Sequence, residues 1–167
     1  ETPKGKLTIS GAEPPLPPAI AEFQTVVDKF GGAAGEKAKY FIAVNRLMSD
    51  RAAGISELEG IAKTNTDVGK LAKFALAQTR FDDGKYDEAA TLYQELIALP
   101  DAVVAKETIN FQLAKTYEKQ SKTKEAADLY FTIAKTAAEA KDSDGKPVPM
   151  GETANEAKEK LTALDAE

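Results

Sequence analysis

The amino-acid sequence predicts an all-α protein with the architecture of an α-solenoid. Three observations support this prediction: apolar residues recur at helical spacing from Ile20 onward, alanine is frequent whereas Gly and Pro gather at a few places, and a helix-pair pattern repeats along the chain. Lys6 to Ser10 form the only weak strand-like pattern. The 167 residues are enough for one domain with a hydrophobic core.

Residues 1–18 are predicted to form an extended leader. This polar segment has four prolines between positions 14 and 18, and proline favours the polyproline conformation over a helix. The chain begins with Glu1 rather than Met, so we interpret the leader as a stiff tether to a membrane anchor upstream. The alternative interpretation is a simple boundary of the chain with no tether.

Eight helices are predicted within residues 19–167, the repeat domain. Gly31-Gly32 end the first helix, Asp67 caps the fourth, and Pro100 ends the fifth. A polar loop from Asp142 to Gly151 leads to the last helix, which opens with the capping-box pattern Thr153 to Glu156. The predicted apolar positions include Ile20, Phe23, Phe30, Tyr40, Phe41, Leu58, Phe74, Leu76, Leu96, Ile109, Leu113, Ile133, Leu161 and Leu164.

A helix pair recurs along the chain. Four matches stand 37 residues apart, namely Phe74 with Phe111, Ala77 with Ala114, Ala89 with Ala126, and Tyr93 with Tyr130. Tyr40 precedes Phe74 by 34 residues. One such pair cannot bury its own apolar face, so neighbouring pairs must stack, and this requirement predicts the solenoid.

The segment from Leu76 to Pro100 resembles a tetratricopeptide repeat. It has a small residue at Ala77, a Gly-x-Tyr turn at Gly84 to Tyr86, and then Ala89 and Tyr93. The next unit matches this pattern except at two turn positions, and the first unit matches it more loosely. The deviating residues are Ser121 and Thr123 in the later unit and Gly54 in the first unit. Lys73 and Asn110 also deviate, each near the start of the first helix of its unit.

The resemblance covers roughly Ile20 to Lys141 and implies about three helix hairpins closed by a C-terminal capping helix. The whole chain is similar to bacterial tetratricopeptide-like domains that stand outside the cytoplasm behind one N-terminal membrane helix, the group that includes ancillary translocon subunits. This resemblance implies an extracytoplasmic, periplasmic-side location and a membrane tether. A cytoplasmic location is left open.

The resemblance also implies a binding groove, because the first helix of each pair lines the concave face of such solenoids. The groove-facing positions are Tyr40, Val44, Phe74, Gln78, Phe81, Phe111, Lys115 and Glu118. Phe74 and Phe111 are the expected aromatic anchors for a partner. The alternative is that several of these side chains are buried between helices. A second set is predicted to be core rather than binding surface: Ala77, Ala89, Tyr93, Ala114, Ala126 and Tyr130.

Composition excludes several classes of function. The sequence has no His and no Cys, so it lacks the usual general base, the thiol nucleophile and the soft metal ligands. A net charge of −5 is unsuited to nucleic acid. We therefore expect no enzymatic activity, no cofactor, no metal and no nucleic-acid partner.

Three short patterns superficially suggest chemistry. Asp142 to Gly145 begins like a calcium loop, but Lys146 and Pro147 then occupy positions that need a ligand and a glycine. Gly31 to Lys37 lacks the ending of a phosphate loop and follows a helix. The carboxylate pairs Glu57/Glu59 and Asp82-Asp83 have neither the shared helix face nor the buried pocket that acid/base catalysis needs.

The predicted function is protein–protein interaction, in which the groove takes an extended segment or a helix of a partner polypeptide. The alternative is a structural scaffold that self-associates through an apolar edge, as a homo-oligomer with no client. Contact with a membrane is expected only through an upstream anchor.

Overall fold

The computed structural model describes residues 18–101 and 103–164, and every described regular element is an α-helix. The predicted leader, apart from Pro18, and the strand-like segment Lys6 to Ser10 lie outside these ranges. The helices are α1 (Pro18–Lys29), α2 (Gly32–Ser49), α3 (Arg51–Ala62), α4 (Asp67–Asp82), α5 (Tyr86–Ile97), α6 (Lys106–Lys119), α7 (Thr123–Glu139) and α8 (Glu152–Leu164).

Four helix starts differ from the sequence prediction. Gly32, expected to end the first helix, is the first residue of α2, and α1 ends at Lys29. Pro18, placed in the leader, is the first residue of α1, a position that proline tolerates because its missing N–H has no helical partner there. Thr66 rather than Asp67 caps α4, since the Gly69 N–H donates to Thr66 Oγ1 at 3.1 Å. Thr153 lies inside α8, which begins one residue earlier, at Glu152.

The turn between helices repeats in detail. Gly84 has φ +74° after α4, and Ser121, 37 residues later, has φ +58° after α6. The same hydrogen bonds close both turns: the Lys85 N–H donates to the Arg80 carbonyl at 2.8 Å, and the Lys122 N–H donates to the Tyr117 carbonyl at 2.9 Å. Ser121 therefore adopts the left-handed conformation that glycine would adopt there, at a steric cost of roughly 1–2 kcal/mol.

Consecutive helices pack against each other along the whole described chain, which is the arrangement of an all-α helical repeat. In addition, α2 contacts α4, and α6 contacts α8, across the helix that lies between them in sequence. The fold class predicted from the sequence is therefore confirmed. The number of repeat units stays a prediction.

The core confirms the predicted small and aromatic positions. Ala77, Ala89, Tyr93, Ala114, Ala126 and Tyr130 are all buried. The two aromatic pairs have nearly the same geometry in successive units, with ring centroids 5.9 Å apart for Phe74–Tyr93 and 5.6 Å apart for Phe111–Tyr130. Edge-on ring contacts of this kind add to the hydrophobic stabilisation.

The last helix covers the end of the core. Ala154 and Ala157 of α8 are fully buried, and Leu161 and Leu164 pack half-buried against the same cluster as Tyr130. At the other end, α1 and α2 leave large apolar side chains exposed. Phe30, Phe41 and Met48 are exposed, although the sequence placed Phe30 and Phe41 on apolar helix faces.

The loop that resembles a calcium site is a tight turn. The Asp142 carboxylate accepts hydrogen bonds from the backbone N–H groups of Asp144 and Lys146, at 2.9 and 2.8 Å. Lys141 and Pro147 form an isolated bridge across it. Within residues 18–101 and 103–164, no cluster of three or more acidic, His or Cys side chains is arranged to hold a metal ion. In the same ranges, no helix combines the length and apolarity needed to cross a membrane.

Candidate functional site

A depression with a volume of about 450 Å³ crosses the first helix of each predicted pair, and we call it the central groove. Its lining residues are Tyr40, Val44 and Leu47 of α2, Ala75, Gln78, Thr79, Phe81 and Asp82 of α4, Tyr93 of α5, and Gln112 and Lys115 of α6. The volume is within the roughly 300–1,000 Å³ of typical ligand sites.

Five of the eight predicted groove residues line the central groove: Tyr40, Val44, Gln78, Phe81 and Lys115. They come from three different helices, as the repeat pattern predicted. The glutamine and lysine positions, Gln78 and Lys115, are equivalent in successive units, 37 residues apart. The groove positions that the family resemblance implies therefore lie largely on one surface, and their role in binding stays a prediction.

The other three predicted residues lie elsewhere. Phe111 is only 5% exposed and packs on Tyr130, and Phe74 is half-buried against Tyr93. Both expected anchors are thus packed within their own helix pair, because the stacking of the pair covers the rings. Glu118 is half-buried and makes contacts towards α7 and α8 instead.

Sequence reasoning missed several residues of the groove wall. Ala75 and Gln112 are equivalent positions that both line it, so the period of 37 residues could have found them together. The sequence pattern marks Asp82 only as part of a carboxylate pair. It predicts Tyr93 in the core, where Tyr93 is buried, but Tyr93 also borders the groove.

The groove carries few charges. Among its described lining residues, Lys115 is the one cation and Asp82 the one anion, while Gln78 and Gln112 contribute neutral amides. The Lys115 Nζ lies 5.8 Å from the ring centroid of Phe111, within the range of a cation–π contact. Phe111 therefore affects the groove indirectly, by positioning the lysine.

Tyr93 and Tyr130 occupy equivalent positions but differ in their hydrogen bonds. The Tyr130 hydroxyl donates to Glu118 Oε2 at 3.2 Å, and Lys160 Nζ lies 3.2 Å from the same oxygen. The Tyr93 hydroxyl oxygen is buried and has no hydrogen-bond partner among the described residues. An unpaired buried hydroxyl is costly, so this difference between the two units needs a physical reason.

One residue position explains why Tyr130 has an acceptor and Tyr93 has none among the described residues. Phe81 precedes Glu118 by 37 residues, so the position that holds an acceptor carboxylate in one unit holds a phenyl ring in the other. Phe81 instead makes an edge contact with Tyr86, with the centroids 5.4 Å apart. In the part of the chain that the structure describes, no acceptor replaces the missing carboxylate at Tyr93.

The surroundings keep both hydroxyls protonated. Burial and, after it, the Asp82 carboxylate raise the pKa of Tyr93 above its usual value. Burial and, after it, the charge and hydrogen bond of Glu118 raise the pKa of Tyr130, with a smaller contribution from Glu156. Burial also raises the pKa of Tyr40. The Tyr93 hydroxyl is therefore a hydrogen-bond donor at neutral pH.

These two tyrosines predict opposite effects of the same substitution. Tyr130→Phe removes a hydrogen bond to a charged group and should lower the free energy of unfolding by about 1–2 kcal/mol. Tyr93→Phe removes an unpaired hydroxyl and should leave this free energy unchanged or raise it by up to about 1 kcal/mol. Urea unfolding followed by circular dichroism measures both. An equal loss in the two variants would show that Tyr93 has an acceptor in solution.

A second depression, of about 520 Å³, lies among α1, α2 and α3, and we call it the N-terminal cavity. It is lined by Gln24, Val27, Glu36, Lys39, Ile42, Arg46, Glu57, Gly60, Ile61 and Thr64. An ion pair between Arg46 and Glu57 joins α2 to α3 in its wall. This cavity contains none of the residues that the sequence predicted for binding.

Comparisons with known proteins found no matching family model, no similar curated protein and no similar solved structure. The fold and the groove define the chain as a helical repeat. Its groove runs along the first helix of each predicted pair and is mostly uncharged. Any conclusion about its function depends on its own residues.

Proposed function

We propose that this chain is a non-enzymatic protein-interaction module, a tetratricopeptide-like scaffold that binds a partner polypeptide in the central groove. The observation that carries the proposal is the groove itself, which spans α2, α4 and α6 and is lined by Tyr40, Val44, Gln78, Phe81 and Lys115. A surface shared by three helices of a repeat can contact an extended ligand at several points.

Two further features support the tetratricopeptide-like part of this proposal. The left-handed turn at Gly84 returns at Ser121 with the same hydrogen bonds, and the small residues Ala77 and Ala114 are completely buried. A resemblance to tethered bacterial domains outside the cytoplasm extends the proposal to a membrane-anchored protein. Sedimentation of the full-length protein with membranes, and its cleavage by protease added to spheroplasts, test that extension.

The absence of His and Cys from the sequence supports a binding role over catalysis. The groove has one carboxylate among its described lining residues, Asp82, next to neutral amides and a lysine. If the purified chain showed hydrolytic activity and the Asp82→Asn variant did not, the proposal that the module is non-enzymatic would be contradicted.

Photo-crosslinking in the native cell tests the proposed groove. Gln78 is exposed and lines the groove, so benzoylphenylalanine at this position in the full-length protein should capture one dominant partner. Phe131 of α7 is 56% exposed and lies outside the groove lining, which makes it the matched control position. Mass spectrometry identifies the adducts. The same adducts at both positions, or none above background at Gln78, would count against a binding groove.

A second candidate function is self-association through the N-terminal edge. Phe23 and Phe41 stack with centroids 5.0 Å apart, Phe41 is exposed, and Phe30 and Met48 are exposed close to the same two helices. Exposed aromatic side chains of this kind are common at protein interfaces. Light scattering distinguishes the two functions, because a mass that rises with concentration and is reduced by Phe41→Ser supports a scaffold. A constant monomer mass counts against it.

A further inference from the structure

We infer that the central groove binds an extended, uncharged stretch of polypeptide, and that the Tyr93 hydroxyl donates a hydrogen bond to a backbone carbonyl of this ligand. The inference rests on the proposed function and adds to it the chemistry of the bound segment and the residue that recognises its main chain.

The first argument is the state of the Tyr93 side chain. Tyr93 is 1% exposed, borders the groove, and keeps a hydroxyl without a hydrogen-bond partner among the described residues. A buried donor of this kind gains when a ligand supplies an acceptor, because the cost of its desolvation has already been met on folding. Asp82 lines the same groove, and its charge contributes, after burial, to the raised pKa of Tyr93.

The second argument is the comparison between repeats. In the following unit, Glu118 accepts the hydrogen bond of the equivalent Tyr130, so the fold itself does not require an unpaired tyrosine. The unpaired donor exists in the unit where Phe81 replaces the carboxylate, and Phe81 is a lining residue of the groove. The sequence therefore leaves an unpaired, buried donor on the tyrosine that borders the groove and satisfies its counterpart away from the groove.

The third argument is the character of the groove wall. The amides of Gln78 and Gln112 each offer a donor and an acceptor, as does every peptide unit of an extended chain. Lys115 and Asp82 carry single charges of opposite sign that offset each other. A strongly acidic or basic ligand therefore gains little electrostatic binding energy from the groove. A polypeptide main chain that rises about 3.3 Å per residue would place successive peptide groups along these side chains.

Binding requires a small adjustment of the wall. The Tyr93 oxygen is closed to solvent in the free chain, so a ligand carbonyl reaches it only after side chains next to it shift. Gln78, which lines the same groove, is exposed and loses little packing when it rotates. The donor is thereby shielded from water until a ligand occupies the groove.

The test uses defined peptide probes. Dodecapeptides are selected from a random phage-displayed library against the 167-residue chain, made with acetylated and amidated ends, and titrated by fluorescence anisotropy. Tyr93→Phe should raise the Kd about three- to tenfold, the effect of losing one neutral hydrogen bond. Phe81→Glu supplies Tyr93 with an acceptor inside the chain and should raise the Kd further. Tyr130→Phe should leave the Kd unchanged. Carbon-13 NMR of labelled tyrosine should show the Tyr93 Cζ signal shifting on binding.

The outcomes separate this inference from the proposed function. Peptides that crosslink to a probe at Gln78 but bind equally to Tyr93→Phe, with no shift of the Tyr93 signal, would overturn the inference and leave the groove intact as a binding site. Selected peptides that carry a marked net charge and lose affinity in salt would also overturn it. If no peptide binds the groove, both the inference and the proposed function fail. Circular dichroism of each variant confirms folding, and Tyr93→Phe alone decides the result if Phe81→Glu does not fold.

Discussion

Gly54→Ala should destabilise the protein by about 3 kcal/mol, because the added methyl group would overlap the backbone of a neighbouring helix. Gly54 lies at the contact between α3 and α2. A Cβ at this position would lie 2.7 Å from the Leu47 nitrogen and 2.8 Å from the Ala43 oxygen, both of which are backbone atoms of α2. The backbone cannot rotate away as a side chain could, so the two helices must separate.

Gly60 provides the matched control because it lies on the same helix. A Cβ at Gly60 would have no atom within 4 Å, so Gly60→Ala should raise the free energy of unfolding by about 0.5–1 kcal/mol through the better helix propensity of alanine. Urea denaturation of both variants measures the difference. A Gly54→Ala protein as stable as Gly60→Ala would mean that α2 and α3 do not approach so closely in solution.

Leu58→Ala should cost about 3 kcal/mol through the loss of buried apolar surface and the cavity left behind. Leu58 is 0% exposed and belongs to a buried cluster with Ala43 of α2 and Ala72 of α4. Tyr40 and Val44, which line the central groove, pack against this cluster. The substitution should therefore weaken peptide binding as well as stability, because the α2 wall of the groove loses its support.

Met48→Ala is the control for the loss of a large apolar side chain. Met48 is 93% exposed on α2, and its truncation should change the free energy of unfolding by less than about 0.5 kcal/mol. Thermal unfolding and peptide titration of the two variants are compared. If Leu58→Ala unfolds at the wild-type temperature, the cluster is not a cooperative part of the fold.

Much of the fold could be predicted because helix formation here depends on local features. Apolar residues at helical spacing and breaks at Gly84 and Pro100 placed the helices within a few residues of their observed bounds. Predicted starts were less accurate where two neighbouring residues could cap, as at Thr66 and Asp67. The choice between them depends on which side chain reaches the free N–H group, and that depends on the local backbone.

The groove was predicted less completely than the fold. The period of 37 residues makes Gln78 and Lys115, which the resemblance implies for the groove, equivalent positions, and both line the depression. It could not show that Phe74 and Phe111 are covered, since an aromatic residue on a first helix can pack inside its own pair or face a partner. The rotation of α4 and α6 against α5 and α7 decides between these, and spacing does not report that rotation.

The sequence alone determined the all-α class, the helix order and the repeat. It also determined the burial of the alanine and tyrosine positions that recur with the repeat. These properties depend on intrinsic propensity and on periodicity, which are carried by residues close together in the chain. The tertiary structure decided which side chains meet across the units. Tyr130 donates to Glu118, twelve residues earlier, whereas Tyr93 has no partner among the described residues, and the equivalent position in its unit holds Phe81. Contacts of that kind depend on how helices are packed against each other, and a hydroxyl that remains unpaired becomes visible only when all its neighbours are in place.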